Sequence, residues 1–176
     1  MKRLVVLIIG LSALAAGCED SPPSGPSQGT ITTFTVPLSA ANEVPAITNA
    51  DAGATGTATI ALTVTKDGSG TITGATANIQ ISVAGFPAGT TVTKAHIHNG
   101  TAGVNAGVFV DANLASGELV VVNGSGTITK TAVNVPLDKA AAILNNPSGH
   151  YFNVHTNLNP DGAIRGQLSA GTSIDY

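Results

Sequence analysis

Alternation of apolar and polar residues at every second position most constrains how this 176-residue chain can fold. In residues 57–64 the even-numbered positions are apolar and the odd-numbered ones are mostly threonine. In residues 76–83 the odd-numbered positions are apolar and the even-numbered ones are polar. Since a strand places alternate side chains on opposite faces, each segment predicts a strand with one face in a core and the other in water. Residues 66–70 (KDGSG), which lie between them, predict the turn of a β-hairpin.

Seven further strands are predicted from similar patterns and from flanking turn residues. They are residues 31–38, 92–98, 108–110, 117–122, 126–135, 150–156 and 163–168. Residues 137–145 break the pattern, because they follow a proline and carry apolar residues at helical spacing, which predicts one short helix. These apolar residues are Leu137, Ala140, Ala141 and Leu144. Eight or nine short strands with one helix indicate an all-β fold, an antiparallel β-sandwich or flattened barrel.

The N-terminal region carries the signals of secretion. A short basic start and an uncharged apolar run predict a signal peptide over residues 1–17. Residues 15–18 (AAGC) resemble the lipobox of bacterial lipoproteins, which implies cleavage before Cys18 and its lipidation. The alternative is an ordinary signal peptide with an incidental cysteine. Residues 18–30 predict a flexible tether, residues 31–170 one domain and residues 171–176 a C-terminal tail. We therefore expect a lipid-anchored protein of the cell envelope that faces the periplasm or the cell surface.

Composition argues against several classes of function. Cys18 is the only cysteine and Met1 the only methionine, so lipidation leaves no thiolate or thioether ligand, no disulfide and no cysteine nucleophile. The chain has no basic patch, which argues against nucleic-acid binding. No serine lies in a nucleophile-elbow context, and no pair of carboxylates suits glycoside hydrolysis. We therefore expect a module that binds a protein or glycan partner rather than an enzyme. The carboxylates considered, all in turn, loop or edge contexts, are Asp51, Asp67, Asp111, Glu118, Asp138 and Asp161.

Three of the four histidines fall on the non-core faces of two predicted strands. Ile97 is the natural core residue between His96 and His98, so both imidazoles share the opposite face. His155 lies on the face opposite to the apolar Phe152. If the two strands are neighbours, the three rings can converge on a metal ion. Imidazoles without a thiolate suit Cu(II), Zn(II) or Ni(II), and the order of affinities favours copper over zinc.

The same polar residues have other interpretations. Two of the imidazoles can instead hydrogen-bond backbone groups and hold the loop of residues 99–107. His150 falls on the opposite parity from His155 and is predicted as a loop or edge residue. Glu43 is either a loop residue bonded to backbone amides or a carboxylate that supports a histidine ring.

Four ordered motifs resemble the CHRD domain, which is named for chordin and is frequent in secreted bacterial proteins. They are residues 38–45 (LSAANEVP), 95–100 (AHIHNG), 151–156 (YFNVHT) and 159–168 (NPDGAIRGQL). The resemblance runs from about residue 34 to residue 168. Ala163 stands where the family often has Glu, and Ala46 where a second proline is common. The resemblance implies an extracytoplasmic β-domain and no particular reaction.

A second resemblance is to the copper site of copper–zinc superoxide dismutases. These Greek-key barrels carry a His-x-His pair on one strand and a further copper-binding histidine on a late strand, followed by an arginine that guides the anion. The resemblance implies a Greek-key fold, immunoglobulin-like or superoxide-dismutase-like, with copper at His96, His98 and His155 and the guiding role at Arg165. Since the zinc ligands are missing, it implies at most a copper-only relative. Alternatively, Arg165 is structural and pairs with Asp161 or with a carbonyl in a turn.

Overall fold

The computed structural model describes residues 28–176, so the predicted signal peptide, Cys18 and most of the predicted tether lie outside the described residues. In chain order the elements are β1 (Gln28–Ser39), β2 (Thr55–Lys66), β3 (Ile72–Ala84), β4 (Val92–Asn99), β5 (Val108–Asp111), β6 (Gly126–Asn134), α1 (Leu137–Asn145), β7 (His150–Thr156), β8 (Ile164–Gln167) and β9 (Thr172–Asp175). Single turns of 3-10 helix, Ala40–Asn42 and Pro147–Gly149, follow β1 and precede β7. Within residues 28–176, no helix is both long and apolar enough to cross a membrane.

All the strands belong to one antiparallel sheet that curls into a nearly closed barrel or sandwich. Its order is β5-β4-β7-β8-β1-β2-β3-β6, and β9 pairs with β1. Strands β8 and β9 share one edge of β1, because Ser39 pairs with Arg165 while residues 30–33 pair with β9. The predicted all-β fold with one short helix is confirmed.

The core is a single cluster of apolar side chains. The alternation predicted for the first hairpin is observed, since Ile60, Leu62 and Val64 of β2 and Ile79 and Ile81 of β3 are all buried. Full burial of one such side chain contributes about 1.5–3 kcal/mol to folding. The apolar residues at every second position therefore supply the buried side chains that stabilise the curled sheet.

Helix α1 has the predicted bounds but buries only part of the predicted face. Ala140 and Ile143 are buried, whereas Leu137 at the first turn is 43% exposed and Leu144 is only partly covered. The prediction placed Leu137, Ala140, Ala141 and Leu144 on the apolar face, of which Ala140 is buried and Leu144 packs partly buried against the core. The helix packs against β3 and buries Ile143, which the predicted set did not include, while Leu137 stays exposed.

The strand predicted for residues 117–122 is wrong. This segment forms turns with two isolated bridges, Thr91 with Val120 and Val122 with Ser125. Its residues alternate in burial, yet Gly117 adopts a φ of 77° at its start. A left-handed backbone of this kind interrupts a ladder and suits a tight turn. The alternating residues predicted a strand, but a strand also needs a continuous partner, which this segment lacks.

Both ends of the domain are longer than predicted. Strand β1 begins at Gln28, within the predicted tether, and pairs with the end of β2 at Lys66. The predicted C-terminal tail contains β9, and Tyr176 exchanges backbone hydrogen bonds with Gly29 at 2.9 and 3.2 Å. The residues of β9 are all exposed, so main-chain pairing rather than an apolar pattern defines this strand.

Candidate metal centre

The pairing of β4 with β7 brings His96, His98 and His155 together. His96 lies opposite Asn153 and His98 opposite Tyr151 in the antiparallel ladder, while His155 lies opposite Lys94. The three imidazoles share the face of the sheet that is turned away from the apolar core, as the alternation predicts. They are only 4–6% exposed, however, because loops cover this second face.

The three rings offer nitrogens that one ion can bind. His96 Nδ1 lies 3.1 Å from His155 Nε2, and one ligand nitrogen from each histidine lies within 4.8 Å of the others. In a tetrahedral site with metal–nitrogen distances of about 2.0–2.1 Å, ligand nitrogens are about 3.3 Å apart. The rings therefore need to close by at most about 1.5 Å to reach a common ion.

Backbone carbonyls set the tautomers of two of these histidines. His98 Nδ1 lies 2.9 Å from the carbonyl oxygen of Ala106, and His155 Nδ1 lies 3.0 Å from that of Pro160. A carbonyl only accepts, so each Nδ1 carries the proton and each Nε2 presents a lone pair to the cluster. Outer partners of this kind orient metal-binding histidines.

His98 Nε2 is a buried acceptor with no hydrogen-bond partner among the described residues. Leaving such an atom unsatisfied costs about 1–3 kcal/mol. A metal ion at the centre of the cluster would give this lone pair a partner. The donor set therefore fits a metal ion that prefers nitrogen ligands.

Burial keeps the cluster in the form that binds metal ions. Desolvation is the largest cause that lowers the pKa of all three histidines, and together with the charge of a neighbouring protonated His96 it lowers the pKa of His155 to about 4. The carboxylate of Asp111 acts in the opposite direction on the pKa of His96. Since a metal ion binds the neutral imidazole, low pKa values favour occupancy at neutral pH.

Arg165 is held by a buried network beside the cluster. Its Nε donates to Glu43 Oε2 at 2.7 Å, and its other nitrogens donate to the carbonyl of Val104 at 3.2 Å and to Asn105 Oδ1 at 2.6 Å. Of the two predicted structural partners of Arg165, the turn carbonyl is observed at Val104, whereas Asp161 is wrong, because the turn after β1 brings Glu43 to the guanidinium instead.

Glu43 has neither of its predicted roles. Its carboxylate bonds to Arg165, not to a backbone amide or a histidine ring. Burial raises the pKa of Glu43, and the hydrogen bond and positive charge of Arg165 partly offset this effect. The pair joins the segment after β1 to the loop of residues 99–107, which lies over the histidines.

Tyr151 forms one wall of the cluster. Its ring stacks on that of His98 at 4.7 Å with an interplanar angle of 4°, and the guanidinium carbon of Arg165 lies 4.7 Å from the centre of the Tyr151 ring. The Tyr151 hydroxyl accepts from the backbone N–H of Ala106 at 3.2 Å. These contacts hold the His98 ring in one orientation.

His150 lies outside the cluster, and Asp111 lies beside it. His150 is buried at the start of β7, where its Nδ1 contacts the carbonyl of Asn146 at 3.0 Å. Asp111 pairs with His96 across β4 and β5, and its Oδ1 lies 4.0 Å from His96 Nε2. Sequence reasoning missed this contact because the predicted strand of residues 108–110 ended one residue before it. Extending the predicted strand by one residue to Asp111 would have indicated this contact.

Comparison with known proteins identifies the family. The family model described as the CHRD domain matches residues 34–168, which include the histidine cluster, Glu43 and Arg165. Neither a curated protein nor a solved structure matches the chain. The match covers well over half of the 176 residues, and it agrees with the four motifs and with the antiparallel β fold. The chain therefore belongs to the CHRD domain family.

Proposed function

We propose that this chain is a lipid-anchored, extracytoplasmic protein whose CHRD domain binds a copper ion. The ligands are His96 Nδ1, His98 Nε2 and His155 Nε2. The observation that carries the proposal is that one nitrogen from each of these three buried histidines lies within 4.8 Å of the others, with the lone pair of His98 Nε2 lacking any partner among the described residues.

The ligand chemistry supports a late transition metal. Ca²⁺ and Mg²⁺ prefer oxygen ligands, whereas neutral imidazoles suit copper, zinc and nickel. The described residues contain no cysteine and no methionine, so the cluster is a purely nitrogen donor set. Among divalent ions such a set binds Cu²⁺ more tightly than Zn²⁺ or Ni²⁺.

The surroundings of the cluster support a site that exists before the ion arrives. Two carbonyls and the Tyr151 ring already orient His98 and His155. The ion therefore does not have to organise the fold, and binding adds stability by mass action on a domain that is already folded.

The position of the cluster supports a site directed away from the membrane. Strand β1 runs from Gln28 to Ser39, and Ser39 pairs with Arg165, which lies in the same cross-strand row as Asn153 and His96. Eleven residue steps of strand correspond to about 36 Å. A lipid on Cys18 would attach at the Gln28 end and leave the histidines at the opposite end.

A second candidate function is an interaction module for a protein or glycan partner in which the histidines only order a loop. The hydrogen bond of His98 Nδ1 with Ala106 favours it, because that bond holds the loop of residues 99–107 against the sheet. The two candidates differ in what they require of His98 Nε2. The interaction module needs no ion bound to this nitrogen, whereas the copper site does.

Calorimetric titration of the full chain in detergent with Cu(II) and Zn(II) separates these candidates. We expect one ion per chain, tighter binding of copper than of zinc, and loss of binding in the His96→Ala/His98→Ala/His155→Ala variant. His150→Gln is the matched control, since it replaces the fourth histidine outside the cluster. Binding that is absent from the unaltered chain, or that the triple variant retains, would contradict the copper proposal and favour the interaction module.

A further inference from the structure

Asp111 lies at the outer side of the histidine cluster, in a tight turn. Its Oδ1 is 4.0 Å from His96 Nε2 and accepts the backbone N–H of Asn113 at 2.7 Å. Asn113 has a φ of 57°, a left-handed conformation that asparagine tolerates in tight turns. The turn therefore keeps the carboxylate beside the His96 ring, although the Asp111 side chain is 59% exposed.

In the metal-free cluster, one of the nitrogens proposed as ligands carries a proton. His155 donates its Nδ1 proton to the Pro160 carbonyl, so its Nε2 is an acceptor. The contact of 3.1 Å between His155 Nε2 and His96 Nδ1 is then a hydrogen bond that His96 donates. His96 consequently carries its proton on Nδ1, the nitrogen proposed above as its ligand atom.

We propose that metal binding switches His96 from its Nδ1–H tautomer to its Nε2–H tautomer, and that Asp111 is the positioning residue that accepts the new Nε2–H hydrogen bond. This inference rests on the proposed function. The proton on Nδ1 leaves to solvent, a proton from solvent binds Nε2, and the net protonation of His96 does not change. The bond from Nδ1 to the ion replaces the hydrogen bond to His155.

After this change of tautomer, each of the three ligand histidines has a hydrogen-bond partner for the nitrogen that does not bind the ion. His98 and His155 already donate to the carbonyls of Ala106 and Pro160, and His96 would donate to the carboxylate of Asp111. The distance from His96 Nε2 to Asp111 Oδ1 has to shorten from 4.0 Å to about 2.8 Å for a charge-assisted hydrogen bond. The Asp111 side chain can make this approach, because it is 59% exposed.

Asp111 also contributes charge. Within residues 28–176 it is the only carboxylate whose oxygen lies within 4.0 Å of a nitrogen of the cluster. Three neutral imidazoles do not compensate the charge of a divalent ion. Asp111 supplies one negative charge next to the site without being a ligand, an arrangement that raises the basicity of the histidine it contacts.

The test is zinc binding by the full chain in detergent, with and without Asp111→Asn. This substitution keeps an oxygen for the Asn113 N–H and removes the charge. We expect the dissociation constant for zinc to rise about tenfold, at the lower end of the effect of outer partners because Asp111 is more than half exposed. Asp175→Asn is the matched control, since Asp175 is an exposed strand carboxylate that accepts one hydrogen bond from Thr30.

Nitrogen-15 NMR of the imidazoles gives a readout that a merely structural role would not change. His96 should carry its proton on Nδ1 without metal and on Nε2 with zinc. A zinc-loaded His96 that keeps its proton on Nδ1, equal zinc affinities of Asp111→Asn and Asp175→Asn, or absence of zinc binding by a chain that binds copper would overturn this proposal alone. Absence of both copper and zinc binding by the unaltered chain would overturn it together with the proposed function.

Discussion

Acid is expected to destabilise the metal-free protein largely through His155. In the unfolded chain this imidazole has a pKa of 6.5, whereas burial and repulsion from His96 lower its pKa to about 4 in the folded protein. Between these values the unfolded chain binds the proton and the folded chain does not. The contribution to stability is therefore complete above pH 6.5 and is lost as the pH falls towards 4.

The size of the effect follows from the two pKa values. A difference from 6.5 to about 4 corresponds to about 3 kcal/mol in the free energy of unfolding, of which about 2.5 kcal/mol is lost by pH 4.5. Protonation of Nε2 would also remove the acceptor of the hydrogen bond from His96. Since native domains are stable by only about 5–15 kcal/mol, the loss is a large fraction of the total.

Urea unfolding followed by circular dichroism, in the presence of a chelator, measures this loss between about pH 7.5 and 4.5. The comparison is between the unaltered chain and His155→Gln, and the quantity of interest is the change of stability with pH rather than stability at one pH. We expect the loss in the variant to be smaller by about 2.5 kcal/mol. Parallel stability curves for the two proteins would refute the assignment of this acid sensitivity to His155.

Two further predictions concern the buried ion pair and the lipid anchor. Arg165→Met leaves the Glu43 carboxylate buried without its partner and should lower the free energy of unfolding by about 3–5 kcal/mol. Lys130→Met, which removes the more exposed pair with Glu118, should cost much less, so equal losses in urea unfolding would contradict the argument. Cys18→Ser should move the protein from the membrane fraction to the soluble fraction of cells, and retention at the membrane would exclude the proposed lipid anchor.

Local periodicity explains which parts of the fold could be predicted from the sequence. A repeat of two is a property of consecutive residues, so the hairpin of β2 and β3 and the common face of His96 and His98 follow from the sequence alone. The bounds of α1 were predictable for the same reason, because a proline and a polar stretch flank its apolar residues. The buried stripe of α1 was not, since it depends on how the helix approaches β3.

Tertiary structure decided everything that depends on residues far apart in the chain. The sequence by itself determined that His96, His98 and His155 lie on non-core faces, but only the pairing of β4 with β7 makes them neighbours. The loops that bury them and orient their tautomers come from chain closure, which no local pattern records. The pairing of Arg165 with Glu43 across 122 residues has the same origin, because a buried charge selects the partner that the fold brings within reach.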